Sequence, residues 1–281
     1  MTTAPTRMPT RTRTVRPRKV SFTYPAGRRR QYFVNDQMVL SHLVAVLSAM
    51  FPEGEDFFIR SVRNFRDHVT DEELNSQIRG FIGQELTHGR EHRVLNERLQ
   101  DMGYPTKRVD RHIRQLLALV DRVVPDQMSL AATAALEHYT ATLAETLLTD
   151  PAAQALVGPS EVRPMLLWHA LEESEHKAVA FDVYKAAGGT EWLRILTMEI
   201  ASAIFWTEVV VQTARSLAHD PSAYRPLRLV RSLNDLRKSP FFAPAIWRRY
   251  NTYNRIGFHP DDWDASDVIE RWTAELFAEA N

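Results

Sequence analysis

Two stretches of the chain combine carboxylate and imidazole at a spacing suited to holding metal. Phe81 to Asn96 reads FIGQELTHGREHRVLN, and Leu166 to Tyr184 reads LLWHALEESEHKAVAFDVY. Each carries a Glu-x-x-His step, Glu85 to His88 and Glu173 to His176. Residues three or four apart share one face of a helix. At about 100° per residue, Glu85, His88 and His92 fall within roughly 60° of one another, and so do His169, Glu173 and His176. A single Glu-x-x-His is weak evidence, because Glu and His are common on solvated faces. Two of them, set among Phe81, Ile82 and Leu86 and among Leu166, Leu167, Trp168, Val179 and Phe181, point inward. A buried carboxylate is costly unless it is paired or bound to metal.

The segments between and before these motifs each offer one acid in an apolar setting. Glu55 precedes Phe57, Phe58 and Ile59, and Glu137 follows AATAAL. The resulting order, Glu, Glu-x-x-His, Glu, Glu-x-x-His, is that of a di-iron or di-manganese carboxylate four-helix bundle. The expected ligands are Glu55, Glu85, His88, Glu137, Glu173 and His176, with His92 and His169 as extra ligands or as hydrogen-bond partners behind the ligands. Glu172 lacks the i,i+3 step to His176, and Glu53 lies before the break at Gly54, so both are weaker choices. His138 points about 100° away from Glu137. Tyr139 and Asn96 could orient ligands, though packing is the default for each.

No cysteine is present, so disulfides and thiolate ligands are excluded and any metal is held by His, Asp and Glu. Four carboxylates with two imidazoles suit iron, with manganese or zinc as alternatives; zinc prefers fewer ligands. Three functions follow. The favoured one is an oxidoreductase activating dioxygen against a small, largely apolar substrate, served by an electron donor. The alternative is a metal-dependent hydrolase, in which paired cations lower the pKa of a bound water and polarise a carbonyl or phosphoryl group. The third is a non-enzymatic metal store. No glycine loop for nucleotides stands in the sequence.

Helices must position these residues, and the sequence reads as all-α: glycine is scarce, and Val/Ile/Thr runs bounded by turns are few. A first helix starts near Gln37 and is interrupted at Phe51-Pro-Glu-Gly-Glu55, because Pro52 and Gly54 disfavour helix; the pattern resumes from Glu55 to His68. Further helices are expected at about 72–102, 107–124, 126–149, 161–187 and 191–218, with an amphipathic one near 268–278. The helix from Trp192 to Ala214 is apolar around most of its circumference. Two glutamates near its middle argue against a membrane span and favour a buried helix or the wall of an apolar channel.

The net charge of zero conceals an asymmetry. Residues 1–35 carry nine Arg or Lys and no acid, leaving −9 for the rest. This arm lacks the apolar stretch of a secretory signal. It reads as a disordered basic tail, with peripheral contact to anionic lipid or an Arg-rich transit peptide as alternatives and no specific nucleic-acid partner. Residues 36–281 read as one domain. A cytoplasmic protein is the simplest expectation, and a homodimer would cover surplus apolar surface.

The segments FPEGEDFFIRSVR (51–63), FIGQELTHGREHRVLNERL (81–99), ALEHYTATLAE (135–145), WHALEESEHKAVAFDVY (168–184) and GFHPDDWD (257–264) resemble a ferritin-like bacterial family described as predicted metal-dependent hydrolases. The resemblance runs from roughly residue 18 to 275. It implies a ferritin-like four-helix bundle with additional C-terminal helices, and a site at Glu55, Glu85, His88, His92, Glu137, Glu173 and His176.

Overall fold

The computed structural model describes residues 14–24 and 32–277. These residues are helical with no strand among them. In chain order the helices are α1 (Met38–Arg63), α2 (Glu72–Asp101), α3 (Thr106–Val123), α4 (Asp126–Thr149), α5 (Pro151–Val157), α6 (Arg163–His176), α7 (Val179–Ala186), α8 (Glu191–Leu217), α9 (Pro226–Arg237), α10 (Pro244–Thr252) and α11 (Ser266–Phe277). Local chemistry sets several ends. The Asp71 carboxylate accepts the Leu74 N–H at the start of α2, and Asp150 accepts from Ala152 before Pro151 opens α5. Gly103 and Gly188, both at positive φ, follow the C-termini of α2 and α7.

α1 packs along α2, α3, α4 and α8, while α4 packs on α6, α7 and α8. The main apolar cluster joins Phe57, Phe58 and Val62 of α1 to Phe81, Leu130, Tyr139 and Phe181. A second cluster, around Leu95, Leu99, Met165 and Trp168, lies toward the other end of α2 and α6. The chemistry-bearing residues lie between these clusters.

Four expectations need correction. α1 runs unbroken through Pro52. Proline removes the N–H that would bond the Ser48 carbonyl, and here the Asn96 side-chain amide donates to that carbonyl at 2.9 Å instead. The helix expected at 161–187 is interrupted at Lys177 and Ala178, directly after His176. The stretch between the helices expected at 126–149 and 161–187 contains α5. α8 is only partly buried: it is long and apolar enough by composition to cross a membrane, yet 22% of its most apolar window is buried, and one face lies on α1 and α4.

Where it is described, part of the basic arm packs against the helices. Val15 is buried against α2, where a Cβ on Gly80 would stand 2.1 Å from the Val15 carbonyl oxygen. Pro17 sits similarly on Gly83. The two glycines give the segment its seat, and Tyr32, Phe33 and Val34 are likewise buried. Residues 1–13 and 25–31 of that arm lie outside the described residues.

Candidate metal centre

Each of four helices delivers one buried glutamate to the same place: Glu55 from α1, Glu85 from α2, Glu137 from α4 and Glu173 from α6. His176 Nε2 lies 3.1 Å from Glu85, 3.4 Å from Glu137 and 3.6 Å from Glu173. His88 Nδ1 is 3.7 Å from both Glu85 and Glu173. His169 Nε2 stands 2.7 Å from Glu173 and 3.9 Å from Glu55. Four triads in this cluster place ligand atoms within 4.8 Å of one another: Glu85, Glu137 and His176; Glu55, Glu85 and His88; His88, His169 and Glu173; and Glu55, His92 and His169.

The donor atoms suit metal. Nine buried atoms here have no hydrogen-bond partner: both oxygens of Glu55, Glu85 and Glu137, one of Glu173, Nδ1 of His88 and Nε2 of His176. Buried polar atoms are normally satisfied, so this concentration marks a place built for positive charge.

Each imidazole is oriented from behind. His88 Nε2 is 3.2 Å from Glu172, so that nitrogen carries the proton and Nδ1 faces the cluster. His176 Nδ1 donates to Gln84 Oε1 at 2.9 Å, which turns Nε2 inward. A longer chain fixes His169. Ser48 gives its hydroxyl proton to Asn96 at 2.8 Å, so His92 Nδ1 donates to Ser48 at 2.9 Å. His92 Nε2 lies 2.8 Å from His169 Nδ1, which turns His169 Nε2 toward Glu173 and Glu55. Partners of this kind are what hold metal-binding histidines in one tautomer.

The electrostatics agree. Burial first, and then repulsion from Glu85 and Glu173, pushes Glu55 well above the usual carboxylate range. Burial, reinforced by Glu137 and Glu173, raises Glu85; it also raises Glu137, with repulsion from Glu173 adding. Burial opposes a charge on His176, but the facing Glu137 and Glu173 win and hold it well above its ordinary value. Burial and the nearby His88 push His169 down to about 4. Burial also drives Glu173 upward, yet its bonds to His169 and His176 hold it below the usual range.

Other candidates fall elsewhere. Glu53 pairs with Arg114 at 3.0 Å toward the surface. His138 bonds the Arg249 carbonyl and lies against Tyr253 and Phe258. Tyr139 donates to Ser202. Sequence reasoning missed the roles of Arg18, Ser48 and Gln84. Arg18 holds Glu175 at 2.5 and 2.7 Å and Glu172 at 3.1 Å, and Gln84 bridges Glu175 to His176. No spacing signals these residues, because each acts from a different segment than the ligand it orients.

Two apolar cavities adjoin the cluster. One, of about 180 Å³, has His92, His169 and Glu173 in its wall; the other, of about 210 Å³, has Glu55. They share Leu47, Phe51, Thr140, Leu143 and Phe205. Phe51 also stacks on His92 with centroids 4.6 Å apart.

No curated protein and no solved structure matches the chain. The family described as predicted metal-dependent hydrolase matches residues 16–264, a span that takes in every residue of the cluster. The chain therefore belongs to the family of predicted metal-dependent hydrolases.

Proposed function

We propose that the chain is a two-metal hydrolase acting on a small, largely apolar substrate, with its site in a ferritin-like four-helix bundle made by α1, α2, α4 and the α6–α7 pair. The observation that carries this reading is the convergence of nine unpartnered donor atoms from four helices. Glu85, Glu137 and His176 would hold one cation, and Glu55, His88 and His169 the other, with Glu85 and Glu173 each near a histidine of either set. His92 is the partner that orients His169. Such a pair supplies Lewis-acid polarisation and a nucleophile drawn from water at neutral pH.

The chain's own residues do the rest. The apolar cavity walls exclude water and hold the hydrocarbon part of the substrate, while its polar bond lies at the end where Glu55, His169 and Glu173 stand. The family description favours hydrolysis over oxidation, the reverse of the order suggested by the residues alone. A serine nucleophile has a geometric rival to offer: Ser216 Oγ is 2.7 Å from His42, and His42 is 3.2 Å from Asp220. Yet Ser216 is buried and lines neither cavity, and Tyr32 also bonds Asp220, so the trio ties α8 to α1.

A second reading, oxidation with iron and an external electron donor, is favoured by one observation. Four carboxylates and three inward imidazole nitrogens exceed what tetrahedral zinc uses and suit octahedral iron or manganese. Protein loaded separately with zinc, manganese and iron would be assayed on p-nitrophenyl esters from acetate to decanoate, with and without oxygen. Turnover with a redox-inert metal, lost in Glu85→Ala together with metal content, is the expected result. Turnover only with iron and oxygen would move the assignment to the second reading.

A further inference from the structure

α9 presents its surface in reverse. Its inner face is formed by Leu229, Ser232 and Leu236: Ser232 accepts the Val39 N–H at 2.9 Å, and both leucines pack with Tyr32, Met38 and Val39. That contact is sufficient to seat the helix. At about 100° per residue, Leu227, Val230, Arg231 and Lys238 fall on the opposite side, spanning roughly 100° of arc. Leu227 is 75% exposed and Val230 62%, with Tyr224 of the preceding turn at 73%. Apolar residues here add nothing to the core.

Charge decides what covers them. Between residues 225 and 238 stand Arg225, Arg228, Arg231, Arg237 and Lys238 against one acid, Asp235. Arg alone would suit a protein interface, where Lys is depleted, but five cations against one acid on so short a segment call for an anionic partner, and a nucleic-acid surface would not project Leu and Val between its cations. Large aliphatic side chains interleaved with Arg and Lys on the outward face of a short helix match the headgroup boundary of an anionic bilayer. α8 adds a second observation. Trp192, Leu196, Ile200 and Ile204 recur every four residues along its exposed face, and Ile200 and Ile204 also form the wall of the cavity that reaches Glu55.

We propose that the protein docks on anionic phospholipid through α9 and the turn before it, with the exposed stripe of α8 as the apolar route from lipid into the cavity. The docking step stands on exposure and charge alone. The route into the cavity rests on the two-metal reading given above.

The test is co-sedimentation of the purified full chain with vesicles of phosphatidylcholine alone and of phosphatidylcholine with 30% phosphatidylglycerol, at low and high salt. The expected result is binding to the anionic vesicles that weakens at least tenfold in high salt. Leu227→Asp with Val230→Asp, and separately Arg225→Gln with Arg231→Gln and Lys238→Gln, should each lose tenfold or more, while circular dichroism and metal content stay unchanged. If the aspartate variant does not fold, the glutamine variant and the salt dependence of the parent protein decide. Equal sedimentation with both vesicle types overturns the proposal. So does undiminished binding by folded variants, or a dimer in light scattering that the aspartate variant breaks with no vesicle binding by the parent. Metal content separates the two claims: vesicle binding by a chain that holds no metal keeps docking and removes the site reading, and the reverse outcome removes docking alone.

Discussion

The cluster's carboxylates and imidazoles differ in what they need from a cation, and this makes their substitutions distinguishable. Glu85 reaches toward two histidines and Glu173 toward three, so Glu85→Ala or Glu173→Ala should abolish metal loading, while Glu53→Ala, beside Arg114, should leave it intact. Glu172 touches no cation position but holds the proton-bearing side of His88. Glu172→Gln should therefore weaken metal affinity by about 10- to 100-fold without abolishing it. Elemental analysis and competition with a chromophoric chelator check all four. Affinity should also fall with pH, and the sign is set by the shifts. Metal binds the deprotonated groups, whereas Glu55, Glu85 and Glu137 have pKa values raised above the ordinary 4.5 and His176 above 6.5. These groups retain protons that metal must displace, so affinity begins to drop while the pH is still above 6.5 and continues to drop toward 4.5 and below. His169, already neutral, adds nothing to that loss at neutral pH. Calorimetry in two buffers of different ionisation enthalpy should show protons released on binding; a heat independent of buffer would contradict this.

The helices bring these residues together through couplings that range well beyond neighbouring turns. Periodicity and the paired Glu-x-x-His steps made α2, α4 and α6 readable from the chain, since those signals repeat within one helix. What was unreadable depends on partners far away in sequence. Pro52 reads as a helix breaker, yet Asn96 of α2 takes up the carbonyl that proline frees, and through Ser48 the same contact orients His92 and then His169. Removing Asn96 by Asn96→Leu should cost about 1–3 kcal/mol, because the Ser48 carbonyl loses its partner in a buried place. In a Pro52→Ala background the new N–H can bond Ser48, so the same Asn96→Leu change should cost less. Urea melts of the four-variant cycle measure the difference; strict additivity would deny the coupling. The segment carrying Arg18 is unreadable for a related reason. Nothing in an Arg- and Pro-rich arm announces that Gly80 and Gly83 of α2 leave it a groove, or that Arg18 will meet buried Glu172 and Glu175.

The molecule as a whole sets two apolar cavities against its polar centre. The sequence places an apolar wall along α8, but it cannot say which of its faces turns inward. Phe205 lies in both cavity walls and Trp206 and Val209 in one, whereas Val210 is exposed and lines neither. Ile204 is half exposed at the rim of the larger cavity. The wall shared by both cavities is the informative position: Leu143 of α4 stands beside Phe51, Thr140 and Phe205 in each. Leu143→Trp adds bulk to both spaces at a partly buried position that is not itself a candidate ligand. If the hydrocarbon part of the substrate occupies these cavities, the change should weaken binding of medium-chain fatty acids or aldehydes by about tenfold or more, corresponding to about 1.4 kcal/mol or more. Overpacking itself costs about 1–3 kcal/mol of stability, so metal content and a melting curve are measured on the same sample. Val210→Asn serves as the control and should leave binding unchanged. A folded, metal-loaded Leu143→Trp protein that binds decanoate as the parent does, by titration calorimetry, would show that the cavities are not where the substrate lies.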